Sequence, residues 1–278
     1  MFALSHIRLH QPKFFCAIAL LFAQASTLAQ TQTWPPAAEL RYQLKALQHG
    51  FPLKGEAVLK WTLQNETTST SASSSAGWRY QIQSTTKVML LGKILEANSQ
   101  GHIDKNGLVP EKFTEKRLNK AEVQTQFNDA SGLIHFGDGI DDARMQAGVQ
   151  DRTSVTWQLA LLARNAKQPW QAGDEISLPV SSRRDVEVWR FKVLAIEILP
   201  SALGELPVLH LSKIASKIVS NTESDGNNTK EQQIDLWFAP SLEWYPVKIS
   251  FTDADGGHVE QTITQITKIE ASIHDDRK

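Results

Sequence analysis

The chain of 278 residues holds 29 lysines and arginines against 30 aspartates and glutamates, a net charge of −1, and is 41% hydrophobic and 8% aromatic. That balance lacks the basic excess that nucleic acid or an anionic surface would draw, and the composition is globular, neither collagenous nor wholly disordered. A single cysteine excludes a disulfide framework, a cysteine-rich zinc site and an iron–sulfur cluster.

Arg8 and Lys13, with no acidic residue near them, precede an unbroken apolar run from Phe14 to Ala23. The run is well short of the roughly 20 residues that a bilayer span needs. Small residues follow at cleavage spacing, either Thr27-Leu28-Ala29 or Ala23-Gln24-Ala25. Residues 1–29 are therefore expected to be a secretory signal peptide. Its removal takes Cys16 and leaves a chain indifferent to an oxidising compartment. The periplasm is the expected location, and no later apolar run is long enough to predict a transmembrane span. Residues 30–37 are expected to be flexible, 38–271 to form one β-rich domain, and 272–278 to be a tail.

Apolar and polar residues alternate along most of this domain. Leu40, Tyr42 and Leu44 alternate first, then Ala57, Leu59, Trp61 and Leu63, then Trp78, Tyr80 and Ile82. A period of two predicts strands with one buried face. Similar runs cover residues 186–198, 206–218, 233–238, 246–251 and 258–269. Turn-rich stretches at residues 98–101, 104–107, 225–228 and 253–257 are read as the punctuation between strands. Residues 64–76, rich in serine and threonine, are read as a hairpin loop with nothing to bury. One segment changes period. Val155, Leu159 and Leu162 follow helical spacing behind the capping side chains of 151–154, predicting a helix over about residues 152–165. The expected fold is mainly β: an antiparallel, strongly curved sheet or incomplete β-barrel of about ten strands, with this amphipathic helix packed on its concave side.

Motifs for chemistry are sparse. His49, His102, His135, His210, His258 and His274 form no paired zinc spacing. His49, His102 and His258 adjoin glycines in predicted turns, and His210 falls in a strand. Asp138, Asp141 and Asp142 offer three close carboxylates, and Asp253-Ala254-Asp255-Gly256 opens like a calcium loop, but neither completes the ligand spacing. Arg183-Arg184-Asp185 is read as a solvated strand opening. There is no nucleophile elbow, phosphate-binding loop or dinucleotide fingerprint. No catalytic residue, metal or cofactor is assigned, and the chain is expected not to be an enzyme. The eight tryptophans are the richest signal. Trp61, Trp78, Trp157, Trp189 and Trp237 are expected either to build a large aromatic core or to line an apolar cavity that holds a ligand.

Four stretches carry a resemblance. They are Gly107-Leu108-Val109-Pro110-Glu111-Lys112-Phe113 with Glu115-Lys116-Arg117; Gly148-Val149-Gln150-Asp151-Arg152-Thr153-Ser154 running into Trp157-Gln158-Leu159-Ala160; Asp235-Leu236-Trp237-Phe238-Ala239-Pro240; and Tyr245-Pro246-Val247-Lys248-Ile249. Together they resemble the secreted proteobacterial family numbered 3108 among domains of unknown function, over roughly residues 38–269. Gln150-Asp151-Arg152 is the most specific element, and Thr153 departs from it, where the pattern has an apolar residue. The family has no assigned activity, so no catalytic residue carries over. The third and fourth stretches also resemble the C-terminal strands of periplasmic lipoprotein carriers, which implies an unclosed β-barrel that binds acyl chains. The partners expected are thus a lipid or lipoprotein acyl chain, or another envelope protein in an assembly or structural role, with a hydrolase third. Asp151 and Arg152 are expected to form a buried or half-buried pairing that fixes the helix on the sheet.

Overall fold

The computed structural model describes residues 33–48, 50–66, 77–137, 139–214, 232–253 and 256–269. The segment expected to be a signal peptide (residues 1–29), His49, the Ser/Thr-rich residues 67–76, Asp138, the turn expected at residues 225–228, Asp255, His274 and the expected tail lie outside the described residues.

Among the described residues, fifteen strands form one sheet. They are β1 (Ala38–Gln48), β2 (Phe51–Glu66), β3 (Gly77–Val88), β4 (Gly92–Asp104), β5 (Gly107–Arg117), β6 (Val123–Asn128), β7 (Leu133–Phe136), β8 (Ala143–Arg144), β9 (Gln150–Asp151), β10 (Glu175–Ser181), β11 (Val186–Ser201), β12 (Gly204–Ile214), β13 (Gln233–Ala239), β14 (Tyr245–Thr252) and β15 (His258–Lys268). An α-helix, α1 (Ser154–Arg164), separates β9 from β10. The sheet runs back from β8 to β1, passes to β15, and returns to β9. Consecutive strands from β1 to β8 and from β10 to β15 pair as antiparallel hairpins, as short connections favour, while β8 and β9 stand at opposite ends of the sheet. The exceptions join distant segments: β1 pairs antiparallel with β15, and the short β9 lies parallel to β10.

The fold class is as expected, a curved and unclosed antiparallel sheet with a helix on its concave face. The strand count is higher than expected, and the turn expected at residues 98–101 is in fact the interior of β4. Ser99 is fully buried there. Gly101 sits at a register shift between β4 and β5, where a Cβ would stand 2.0 Å from the Val109 carbonyl oxygen. That glycine answers a close backbone approach, not a turn. His102 is accordingly a strand residue, bonded through Nδ1 to Glu111 at 3.0 Å. Arg183-Arg184-Asp185 forms the turn ahead of β11, which begins at Val186. Residues 33–37, expected to be flexible, are tied down. The Pro35 carbonyl accepts from Trp61 Nε1 at 2.9 Å, the Pro36 carbonyl accepts from the Tyr245 hydroxyl at 2.7 Å, and Thr33 is bonded to Asn165 beyond the helix.

The sheet wraps around α1, which touches β5, β9 and β14. Eight of its 11 residues are buried, so its apolar surface extends well round the cylinder. Val155, Leu159, Ala160 and Ala163 pack on Trp189, Phe191, Val193, Leu211, Leu236 and Phe238 of the β10–β14 half. Trp157 and Leu161 pack on Leu40, Tyr42, Leu59, Trp61, Tyr80 and Ile82 of the β1–β3 half. One helix thereby fills the trough between both arms of the sheet.

Candidate functional site

Curling brings the edge strand β9 against β5, near the other end of the strand order. Side chains clasp the two together. Gln150 Nε2 donates to the Leu108 carbonyl at 2.8 Å. Asp151 is fully buried, and its Oδ2 accepts from the Ser99 hydroxyl of β4 at 2.5 Å. Its Oδ1 accepts from the backbone N–H groups of Thr153 and Ser154 at 2.7 and 2.8 Å. Asp151 thus caps α1 from two residues before the formal N-cap Thr153, whose own side chain makes no capping bond. Arg152 pairs with Glu115 of β5, which also accepts from Arg117 at 2.8 Å. From inside the helix, Gln158 accepts from the Leu108 N–H at 2.8 Å and donates to the Asn106 carbonyl at 2.9 Å. Gly107, at φ +123°, permits this contact, since a Cβ there would lie 2.2 Å from Gln158 Oε1.

The electrostatics follow from burial and partners. Burial raises the Asp151 carboxyl, and the bonds from Ser99, Ser154 and Thr153 only partly offset it. Burial would raise Glu115 as well, but Arg152 and Arg117 outweigh it and hold that carboxyl below its ordinary value. A carboxylate with a depressed folded pKa lends stability that is present above its unfolded value and lost as pH falls through its folded one. Glu115→Gln should therefore cost about 1–3 kcal/mol at pH 7. Urea titrations repeated down to pH 3 should show the gap between the two chains closing.

A cleft of about 420 Å³ opens beside the clasp, lined by His102, Asp104, Asp129, Met145, Val149 and Gln158 among others. Its lining mixes polar and apolar side chains, and the tryptophans lie elsewhere. Trp61 and Trp157 are fully buried and stack at 4.5 Å with a 12° interplanar angle, and Tyr245 meets Trp157 edge-on. Trp189 is buried in the other half of the core beside Phe191, with Lys213 Nζ over its ring at 4.9 Å. Trp237 sits under Lys248 at 4.6 Å, stacks on His210 at 4.1 Å, and donates to Glu197 at 2.5 Å. Trp78 is 37% exposed at the start of β3. The structure thus joins two of the five, Trp61 and Trp157, in one stack and distributes the rest. Of the acidic cluster, Asp142 lies 2.7 Å from His135 Nδ1. Sequence reasoning missed Ser99, which looked like punctuation, and the reach of Gln150, Gln158 and Glu115. The signal for those three was their place in the distinctive stretches.

Fold and clasp together define a β-sheet curled round a single helix and fastened near its edges by a Gln-Asp-Arg element. The family model described as "Protein of unknown function (DUF3108)" matches residues 41–264, and the chain belongs to that family. Among solved structures, the chain is similar to the crystal structure of a Vibrio parahaemolyticus domain described as an outer membrane lipoprotein-sorting protein. The two are 10% identical, with a TM-score of 0.27, over 89% of this chain and 91% of that one. No curated protein matches the chain. Among the described residues, no helix is long and apolar enough to cross a membrane.

Proposed function

We propose that this is a non-enzymatic protein of the bacterial periplasm that works through its outer surface, using the far end of the β11–β12 hairpin as its contact for another envelope protein. One observation carries the reading. The trough that would hold an apolar ligand is occupied by α1 and the Trp61–Trp157 stack, while β11 turns large apolar side chains to solvent. A register shift lies between Val193 and Ala195, where the strand leaves the core. Beyond it, Ile196 and Ile198 are 69% and 58% exposed, and Pro207 stands opposite Ile198 in the register. A contiguous exposed apolar patch of this kind marks an interaction surface. Its neighbour on the hairpin is Glu205, opposite Pro200. A carboxylate at that place suits a protein surface of apolar and basic character more than an anionic bilayer. The leader-like N-terminal sequence and the cysteine-free remainder support the periplasmic placement.

A photo-crosslinking side chain at position 196 or 198 should trap one protein in cells, and the same side chain at Glu260 should not. The trapped protein, once purified, should bind the chain at least tenfold more weakly after Ile196→Ser and Ile198→Ser. Organic extraction of the purified chain gives the opposing result: a lipid near one per chain would overturn the reading in favour of a carrier.

A further inference from the structure

We propose that the turns joining β1–β2, β3–β4 and β5–β6 form a single apolar, cation-ringed end of the sheet that docks on an anionic bilayer. This rests on different residues from the arm described above and does not depend on it. Backbone bonds hold the three turns side by side. The Met89 N–H donates to the Lys54 carbonyl, and the Leu118 N–H donates to the Ile94 carbonyl, both at 2.9 Å. The residues there are apolar and exposed: Phe51 at 71%, Met89 at 66%, Leu90 at 103% and Leu91 at 52%. Turns at the end of a sheet are ordinarily the most polar part of a β protein, because nothing else covers them. Three consecutive large apolar side chains at such a point leave more than half of their surface in water, and Leu90 all of it.

The backbone of Leu90 strengthens the argument. Its φ is +70°, a left-handed conformation disfavoured for a side chain with a Cβ. The neighbouring β5–β6 turn meets the same need with Asn119 at φ +55°, the usual choice. Leucine at position 90 is therefore unfavourable both in conformation and in hydration, and neither cost is recovered within the fold. Insertion into the acyl boundary of a membrane recovers the second.

Charge selects the kind of surface. Residues 45–56, 85–96 and 115–123, which flank these turns, hold seven lysines and arginines against four glutamates, in a chain whose overall charge is −1. Lys54, Lys93 and Lys120 stand exposed at the turns, and although Lys93 pairs with Glu96 at 2.7 Å and Lys87 with Glu56 at 3.3 Å, the flanks keep a net positive charge. Lysines around protruding apolar tips match anionic headgroups surrounding an apolar interior. A purely apolar protein partner would leave that cationic ring without a purpose.

The test is sedimentation of the protein, expressed from its full-length gene, with vesicles of three parts phosphatidylethanolamine to one part phosphatidylglycerol, and with pure phosphatidylcholine vesicles. The protein should bind the first and bind the second at least tenfold more weakly, and raising the salt should reduce binding to the first. Substituting Met89→Ser, Leu90→Ser and Leu91→Ser together should lower partitioning tenfold or more and leave the chain folded, because all three side chains are mostly exposed. Lys54→Glu with Lys93→Glu should abolish the preference for anionic vesicles. Ile196→Ser with Ile198→Ser should leave vesicle binding unchanged, which separates this proposal from the arm contact. Failure of the unaltered protein to bind anionic vesicles, or undiminished binding by the folded triple variant, would overturn it.

Discussion

Asp151→Ala should lower the free energy of unfolding by about 4 kcal/mol, and Asp151→Asn by only about 1. The carboxylate is fully buried and accepts three hydrogen bonds, from Ser99 and from the first N–H groups of the helix. Alanine leaves those donors without their acceptor, and each buried donor so orphaned costs about 1–3 kcal/mol. Ser99 keeps an alternative in the Tyr80 hydroxyl at 3.2 Å, so the backbone donors account for most of the loss. Asparagine preserves the oxygen that caps the helix and removes a charge that burial disfavours. The pH dependence separates the two effects. Because burial raises the Asp151 carboxyl in the folded chain, its contribution is fully present below its unfolded pKa and declines as pH rises through the folded value. The advantage of Asp151 over asparagine should therefore be larger at pH 4 than at pH 7. Chemical denaturation at both values measures it, and an advantage that grew with pH would contradict the assigned direction. Such a residue ties the edge strand β9 to the interior of β4. β9 holds only two residues in register with β10, so its side chains, more than its ladder, bind the edge to β4 and β5.

Why was the fold legible from sequence while the clasp was only half so? Alternation in Leu40-Arg41-Tyr42-Gln43-Leu44 and its counterparts is a local property, and local periodicity survives into the structure because each strand has one wet face. The helix was legible for the same reason, from Val155, Leu159 and Leu162. Asn98-Ser99-Gln100-Gly101 misled because turn propensity and a buried polar contact use the same residue types. Ser99 is polar because it serves Asp151, and Gly101 lacks a side chain because Val109 passes close by. Both reasons lie in strands that are distant or paired across a bulge. Gln150, Asp151 and Arg152 stood out as a distinctive run. Their partners Leu108, Ser99 and Glu115 are scattered over the chain, and only the curl of the sheet brings them together. The exposed turns show the reverse case. Met89-Leu90-Leu91 is an apolar run with no polar residue to mark a turn, and the register of β3 with β4 places it in solvent.

Trp157→Ala should cost about 3–5 kcal/mol, the range for removing a large aromatic ring from a packed core. The indole stacks on Trp61, meets Tyr245 edge-on and lies where the two arms of the sheet converge on the helix. Trp157→Phe should cost less, about 1–2 kcal/mol, because it keeps part of the stacking and also removes a buried indole N–H that has no hydrogen-bond partner among the described residues. The alanine variant further tests what the trough is for. A cavity lined by Trp61, Tyr80 and Leu161 would be apolar, and apolar cavities of this kind stay dry and accept small apolar molecules. Benzene should therefore raise the melting temperature of Trp157→Ala and leave that of the unaltered chain unchanged. If a long-chain fatty acid instead stabilised the unaltered chain, and Trp157→Ala bound it more tightly, the stack would be a gate over a ligand site. The trough, and not the hairpin arm, would then be the working part of the molecule. With no such stabilisation, the two tryptophans are the packing that lets one helix support both arms of an unclosed sheet, and binding is left to the surfaces that the arms and turns present.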